Sequence, residues 1–248
     1  MEKIIQVIEK TRGIVLHYTN YSDSSGIVSM LTQNRGRQAF LARGATRGRK
    51  AGRMAMLQPL MILSIEVSAK PGREVQDLRD YSLDYVPASI PFNIQKSAVS
   101  MFLGEVMNAA IREEAADMAL FSFIEESVIS FDRLAVPATN FHLLFLTGLT
   151  RYLGFGPSLP VSEDHKIFDM TNGVFCTLPP AAGVYIDQEY SSIMKKLLST
   201  TPAESGSLGI TSSQRRRMLE LIMKYYSLHL PGLKNLKSMK ILQEVFNI

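Results

Sequence analysis

Near Pro87 the chain changes its hydrophobic period, and that change constrains its fold more than any other feature. Before it, apolar side chains come in short, β-branched runs broken by turn formers. The runs cover residues 11–19, 26–32, 37–43, 56–68 and 74–85, and in the first Ile14, Leu16 and Tyr18 share one face. Gln33-Asn34-Arg35-Gly36 reads as a hairpin turn, and Lys70-Pro71-Gly72-Arg73 as a tight turn with Pro before Gly. Five short strands in so little chain point to a small closed barrel, since closure removes the unpaired edges. The OB-fold is a common solution of this size; the pattern alone does not separate it from an SH3-like barrel.

After Pro87 the period becomes helical. Ser89-Ile90-Pro91 opens a helix reaching about Arg112, with Ile94, Ala98, Met101, Phe102, Glu105 and Val106 recurring at helical spacing. Further helices are expected at residues 118–131, 137–153, 187–199, 211–230 and 238–246, with Gly154 as a stop and Thr211 as a cap. Residues 156–186 are irregular, and Asn172-Gly173 marks a small hairpin inside them. The expected architecture is α+β and multidomain: an all-β barrel over residues 1–86, then an all-α domain over 87–248 with a β-hairpin insertion at about 156–186.

Charge is unevenly spread. Residues 1–86 hold thirteen Lys/Arg against eight Asp/Glu, whereas the remainder holds fourteen against fifteen. Arg35, Arg37, Arg43, Arg47, Arg49, Lys50 and Arg53 form a run with no acidic residue among them. Such segregation suggests a polyanionic partner for one part of the molecule. Met1 to Gln6 carry mixed charge with no apolar segment behind them, so no signal peptide or membrane anchor is expected. The single cysteine, Cys176, excludes an internal disulfide and any multi-cysteine metal site, which fits a reducing cytoplasm. His17, His142, His165 and His229 lack metal-ligand spacing, and neither a nucleophile-elbow nor a phosphate-loop motif occurs. An enzyme is therefore not expected, nor a cofactor.

Several stretches in one collinear order resemble the RecO family of recombination mediators. They are Thr11-Arg12-Gly13-Ile14-Val15-Leu16 with Tyr21-Ser22-Asp23-Ser24-Ser25, then Gly36-Arg37, Leu41-Ala42-Arg43-Gly44-Ala45 and Leu57-Gln58-Pro59-Leu60. The helical half continues with Asn140-Phe141-His142-Leu143-Leu144-Phe145, Leu153-Gly154-Phe155, Tyr225-Tyr226, His229-Leu230-Pro231-Gly232 and Lys237-Ser238. The resemblance implies an N-terminal OB-fold, a helical domain and a role in loading recombinase onto single-stranded DNA coated by single-strand-binding protein. It also implies strand annealing, and partnership with RecR and with the acidic C-terminal tail of single-strand-binding protein. Many relatives carry four zinc-binding cysteines in the segment equivalent to 156–184; only Cys176 stands here, so zinc is not expected.

On this reading the basic run binds single- and double-stranded DNA by neutralising phosphates, without sequence preference. Arg37 and Arg43 project from one strand face, while Arg47, Arg49, Lys50 and Arg53 lie in a glycine-rich loop. Tyr18, Tyr21 or Phe40 are candidate stacking platforms, though Phe40 fits the barrel core better. Leu143, Phe145, Leu149, Arg151 and Tyr152 are candidates for an apolar groove holding the acidic tail. Arg215, Arg216 and Arg217 in the first turn of a helix oppose its dipole, and a partner carboxylate or phosphate would relieve them. The alternative is an adaptor whose basic barrel docks an acidic protein or RNA; a hydrolase hidden in the helical half is the remote rival.

Overall fold

The computed structural model describes residues 7–23, 25–43, 48–70, 72–112, 115–135, 138–181, 183–233 and 236–246. Contacts divide the chain into two compact units, residues 1–91 with 100–128 and residues 92–99 with 129–248.

In the first unit five strands, β1 (Val7–Ser22), β2 (Ser25–Thr32), β3 (Gly36–Arg43), β4 (Ile62–Ala69) and β5 (Val75–Leu83), close a barrel in the order β1-β2-β3-β5-β4. All neighbours are antiparallel except β3 and β5, an OB-like arrangement. Ile14, Leu16, Val28, Met30, Phe40, Ala42, Leu63, Ile65 and Val67 are buried at alternate positions, as the pleat requires. Val15 is buried too, paired with buried Met30, while Ile14 pairs with buried Leu31 and Ile62, so both faces of β1 are covered here. Residues 33–35 form the β2–β3 turn, and Gly36 supplies the positive φ of 65° that closes it. The Thr32 hydroxyl secures this turn by donating to the Gly36 carbonyl at 2.9 Å and accepting from the Arg35 amide at 3.2 Å.

The fourth strand begins at Ile62, not at residue 56. Gly48–Leu57 is instead a 3-10 helix, and Leu60 adopts a left-handed φ of 68°. Pro59 has no amide hydrogen to give a ladder, so the segment turns before the strand starts. Its backbone is then pinned to β1: the Leu60 amide donates to Val15 O at 2.8 Å, and the Val15 amide to Met61 O at 2.9 Å.

Helices α1 (Ile94–Ala110) and α2 (Met118–Arg133) each contribute residues to both units. The α1 residues of the first unit lie hard against the barrel. A Cβ on Gly104 would sit 2.6 Å from the Leu16 carbonyl oxygen and 2.8 Å from Pro59, so only glycine fits there. The buried set of α1 is Ala98, Val99, Phe102, Leu103, Val106, Met107 and Ala110; Ile94 and Met101, expected on that face, are exposed. Arg12 of β1 ties α2 to the barrel, with Nε donating to Asp84 at 2.8 Å and the amino groups gripping both oxygens of Glu125, while its guanidinium lies 5.7 Å from the Phe121 ring. Two carboxylates around one guanidinium raise its already high pKa.

In the second unit α3 (Phe141–Tyr152), α4 (Gln188–Ser199), α5 (Ser212–His229) and α6 (Ser238–Phe246) accompany a three-stranded sheet, β7 (Val174–Cys176), β6 (Ile167–Asp169) and β8 (Tyr185–Ile186). α3 starts four residues later than its pattern suggests, and Gly154 ends it with φ 84°. α5 opens on a capping box in which Thr211 and Gln214 satisfy each other's amides. Its Tyr225 and Tyr226 are buried, their hydroxyls donating to Phe155 O at 2.6 Å and Leu146 O at 2.7 Å. Ser191 of α4 fastens the sheet by accepting from the Phe168 amide and donating to Ile186 O, both at 2.9 Å.

Two buried polar side chains give this unit its sharpest constraints. Lys96, only 1% exposed, donates from Nζ to Phe131 O and Asp132 O at 2.9 Å and to Leu134 O at 2.7 Å. An ammonium ion thus caps the C-terminus of α2, where carbonyls and dipole both favour a cation. Burial lowers the lysine pKa, and the nearby Asp132 opposes that shift. Lys96→Met should cost about 3 kcal/mol by stripping three buried carbonyls of their cationic donor. That lowers the thermal midpoint by roughly 6–12 °C in calorimetry; an unmoved midpoint contradicts the cap.

His142 is completely buried, neither ring nitrogen has a hydrogen-bond partner among the described residues, and burial together with the charge of Arg215 lowers its pKa to about 3. The unfolded chain takes up this proton near pH 6.5, at the free histidine value. Its contribution to stability is therefore intact above pH 6.5 and lost as pH falls from there toward 3. His142→Phe should flatten the acid limb of stability by up to one proton, about 1.4 kcal/mol per pH unit. Denaturant titrations at pH 7, 5.5 and 4.5 measure this, and parallel limbs for the two proteins contradict it.

Candidate nucleic-acid interface

Because β5 returns beside β3 in parallel, the barrel surface mixes residues far apart in sequence. The register runs from Ala39↔Val75 to Ala42↔Leu78, so Arg43 at the end of β3 lies by the chain that carries Asp77 and Arg79. Arg43 has a side chain 66% exposed, and its Nη1 lies 2.9 Å from Asp77. Asp77 also meets Lys70 Nζ at 3.5 Å. The β4–β5 turn bearing Lys70 and Arg73 is stapled by Gln76, whose amide accepts from the Lys70 amide at 2.8 Å and donates to Lys70 O at 3.0 Å and Arg73 O at 2.7 Å. Arg73 and Arg79 are exposed.

The residues singled out in sequence meet different fates. Arg35, in the β2–β3 turn, is held by Glu9 of β1 at 2.6 Å. Arg37 is half-buried; its Nη1 donates to Asn108 of α1 at 3.5 Å, and its buried Nε has no partner among the described residues. Arg53 leaves the 3-10 helix to meet Asp80 at 2.5 Å and the Tyr81 carbonyl, its guanidinium 4.2 Å over the Tyr81 ring. Arg47 lies outside the described residues. Arg49 and Lys50 belong to the same 3-10 helix, so the expected glycine-rich loop is helical at their positions; their side chains lie outside what the structure describes. Among the aromatics Phe40 is core, and Tyr18 packs so close to Gly26 that a Cβ there would stand 2.2 Å from its hydroxyl oxygen; Tyr21 is open at 68% exposure. A polar cleft of about 520 Å³ opens over β1, β4 and β5, lined by Lys10, Arg12, Asn34, Glu66 and Tyr81 among others.

Lys70, Arg73 and Arg79 are not among the candidates read from sequence. They fall outside the acid-free run, and Glu74 and Asp77 stand between them. Their signal is topological: a closed barrel of this order must set its last strand beside the third.

The second group of candidates is scattered. Leu143, Phe145 and Leu149 are in the core of α3, which is buried on nearly every side, so they line no open groove. Arg151 and Tyr152 at its end are exposed. Arg215 is buried at 7% exposure and Nε donates to the Asn140 amide oxygen at 3.2 Å, so an amide stands where an anion was expected. Arg216 is exposed, and Arg217 pairs with Glu220 at 3.0 Å. In the hairpin segment the one thiol, Cys176, contacts Ile167 O at 3.5 Å, and Phe168 and Phe175 pack at 4.9 Å. Among the described residues no helix is long and apolar enough to cross a membrane.

Comparison with known families matches residues 5–85 to the N-terminal part of recombination protein O and residues 91–240 to its C-terminal part. The chain is 33% identical over 242 residues to the DNA repair protein RecO of Bacteroides fragilis, covering 97% of this chain and 100% of the relative. It is 32% identical to the corresponding protein of Phocaeicola vulgatus, covering 97% and 100%, and 32% identical to that of Flavobacterium psychrophilum, covering 96% and 99%. A closed OB-like barrel followed by helices with a small sheet, matched in order along both halves, places the chain in its family: it belongs to the RecO family of DNA repair and recombination proteins.

Proposed function

We propose that this chain is a recombination mediator that binds single- and double-stranded DNA through the outer face of its barrel. It anneals complementary strands and helps load a recombinase onto DNA coated by single-strand-binding protein, in the cytoplasm. The observation that carries the reading is the β3–β5 seam, where Arg43, Lys70 and Arg79 come from two neighbouring strands and the turn between β4 and β5. Guanidinium and ammonium groups of this kind grip phosphates by charge and release counterions, whatever the base sequence. Held against a common cationic surface, two complementary strands meet with their mutual repulsion reduced. No covalent step is proposed, and no cofactor.

The protein partners are RecR and the acidic C-terminal tail of single-strand-binding protein. Exposed Arg151, Tyr152 and Arg216 are the members of the second candidate group that a tail could reach.

Two measurements test this. Binding of labelled oligothymidine should weaken linearly with log salt, with a slope of magnitude about 3–5 if five to seven phosphates are contacted. Replacing Arg43, Arg73 and Arg79 together with Ala should weaken binding to every sequence alike and cut the slope by about 2. Unchanged affinity and slope in the triple variant would remove the seam from the interface.

A further inference from the structure

Several cations of the barrel surface are paired with carboxylates. Arg35 is closed onto Glu9 of β1, Arg43 onto Asp77 of β5 and Arg53 onto Asp80 of β5. Lys70 shares Asp77, and Lys10 lies 2.8 Å from Glu66 of β4. Except for Lys70, which meets Asp77 across its own hairpin, each cation is met by a carboxylate more than twenty residues away, so folding of the barrel creates these pairs. The sequence count of positive charge in residues 1–86 therefore overstates the charge a strand of DNA would meet. Asp77 is the most embedded of the anions: its side chain is 10% exposed, whereas that of Arg43 is 66% exposed. An approaching phosphate can reach the guanidinium but cannot displace the carboxylate behind it into water without disturbing the seam.

We propose that Asp77 and Asp80 are affinity-setting residues that act as internal competitors for the phosphates of bound nucleic acid. This rests on the DNA-binding reading above. Each carboxylate partly neutralises its arginine and repels an incoming phosphate, so the barrel holds strands loosely. A cation leaving a carboxylate for a phosphate also frees that carboxylate to attract a salt cation, and this lowers the net counterion release on binding. Two consequences follow for neutral replacements: tighter binding and a steeper dependence on salt.

The test is fluorescence anisotropy of labelled oligothymidine with the full chain at several salt concentrations. It compares wild type with Asp77→Asn, Asp80→Asn, the double variant and Glu220→Gln. The last removes the partner of Arg217 on α5 and makes the same change in net charge. Each Asp→Asn variant should bind about 2- to 5-fold tighter at low salt, the range expected for one exposed charge pair. The slope should steepen by about 0.7 per carboxylate removed, with Glu220→Gln close to wild type. Equal or weaker binding by Asp80→Asn overturns the proposal, as does an equal gain in Glu220→Gln, which would trace the effect to net charge. If Asp77→Asn fails to fold, Asp80→Asn decides, because its side chain is 62% exposed. A wild-type protein without salt-sensitive binding defeats the DNA reading itself; wild-type binding with no gain in the variants defeats only this inference.

Discussion

Four residues of β3 lie in parallel register with four of β5, and on that short ladder the barrel closes. Without it β3 and β5 would be open edges, and the apolar face carrying Phe40, Ala42 and Leu78 would lose one wall. The same pairing brings Asp77 to Arg43 and sets the 70–73 turn at the rim of the seam. Fold and surface chemistry thus share one cause. Parallel pairing needs a long crossover, and here the chain between the two strands supplies the 3-10 helix, the left-handed turn at Leu60 and the whole of β4.

Polar groups fix what hydrophobic burial alone would leave loose. Arg12 joins β1 to α2 through Glu125 and to the end of the barrel through Asp84. The other unit holds its helix ends by Lys96 on three carbonyls and by the Thr211 capping box. Buried hydrogen-bonded groups of this kind are costly to leave half-satisfied, and for that reason they specify one arrangement of the helices around them. The hairpin sheet, with one cysteine, relies on Phe168, Phe175 and Ile186 beneath it and on Ser191 at its edge.

Much of the fold was legible because period and punctuation agree: β2, β3 and α6 lie within a residue of where their patterns put them. Where a second surface covers a strand or helix, the pattern misleads. Val15 is buried beside Ile14 and Leu16, and α3 is apolar nearly all round, so a groove read into Leu143, Phe145 and Leu149 is core. A buried lysine such as Lys96 leaves no trace in periodicity, since its partners are carbonyls of another helix. The acid-free run is plain in the sequence, but the carboxylates that answer Arg35, Arg43 and Arg53 lie on β1 and β5, and no local window contains both.

The central claim is that the cationic outer surface of the barrel, organised by the β3–β5 seam, is where nucleic acid lies. Hydrogen exchange of the full chain with and without saturating oligothymidine addresses it directly. The account expects slowed exchange in β3, β5 and the 70–73 turn; slowing confined to α3, α4 and α5, with the barrel unaffected, would contradict it.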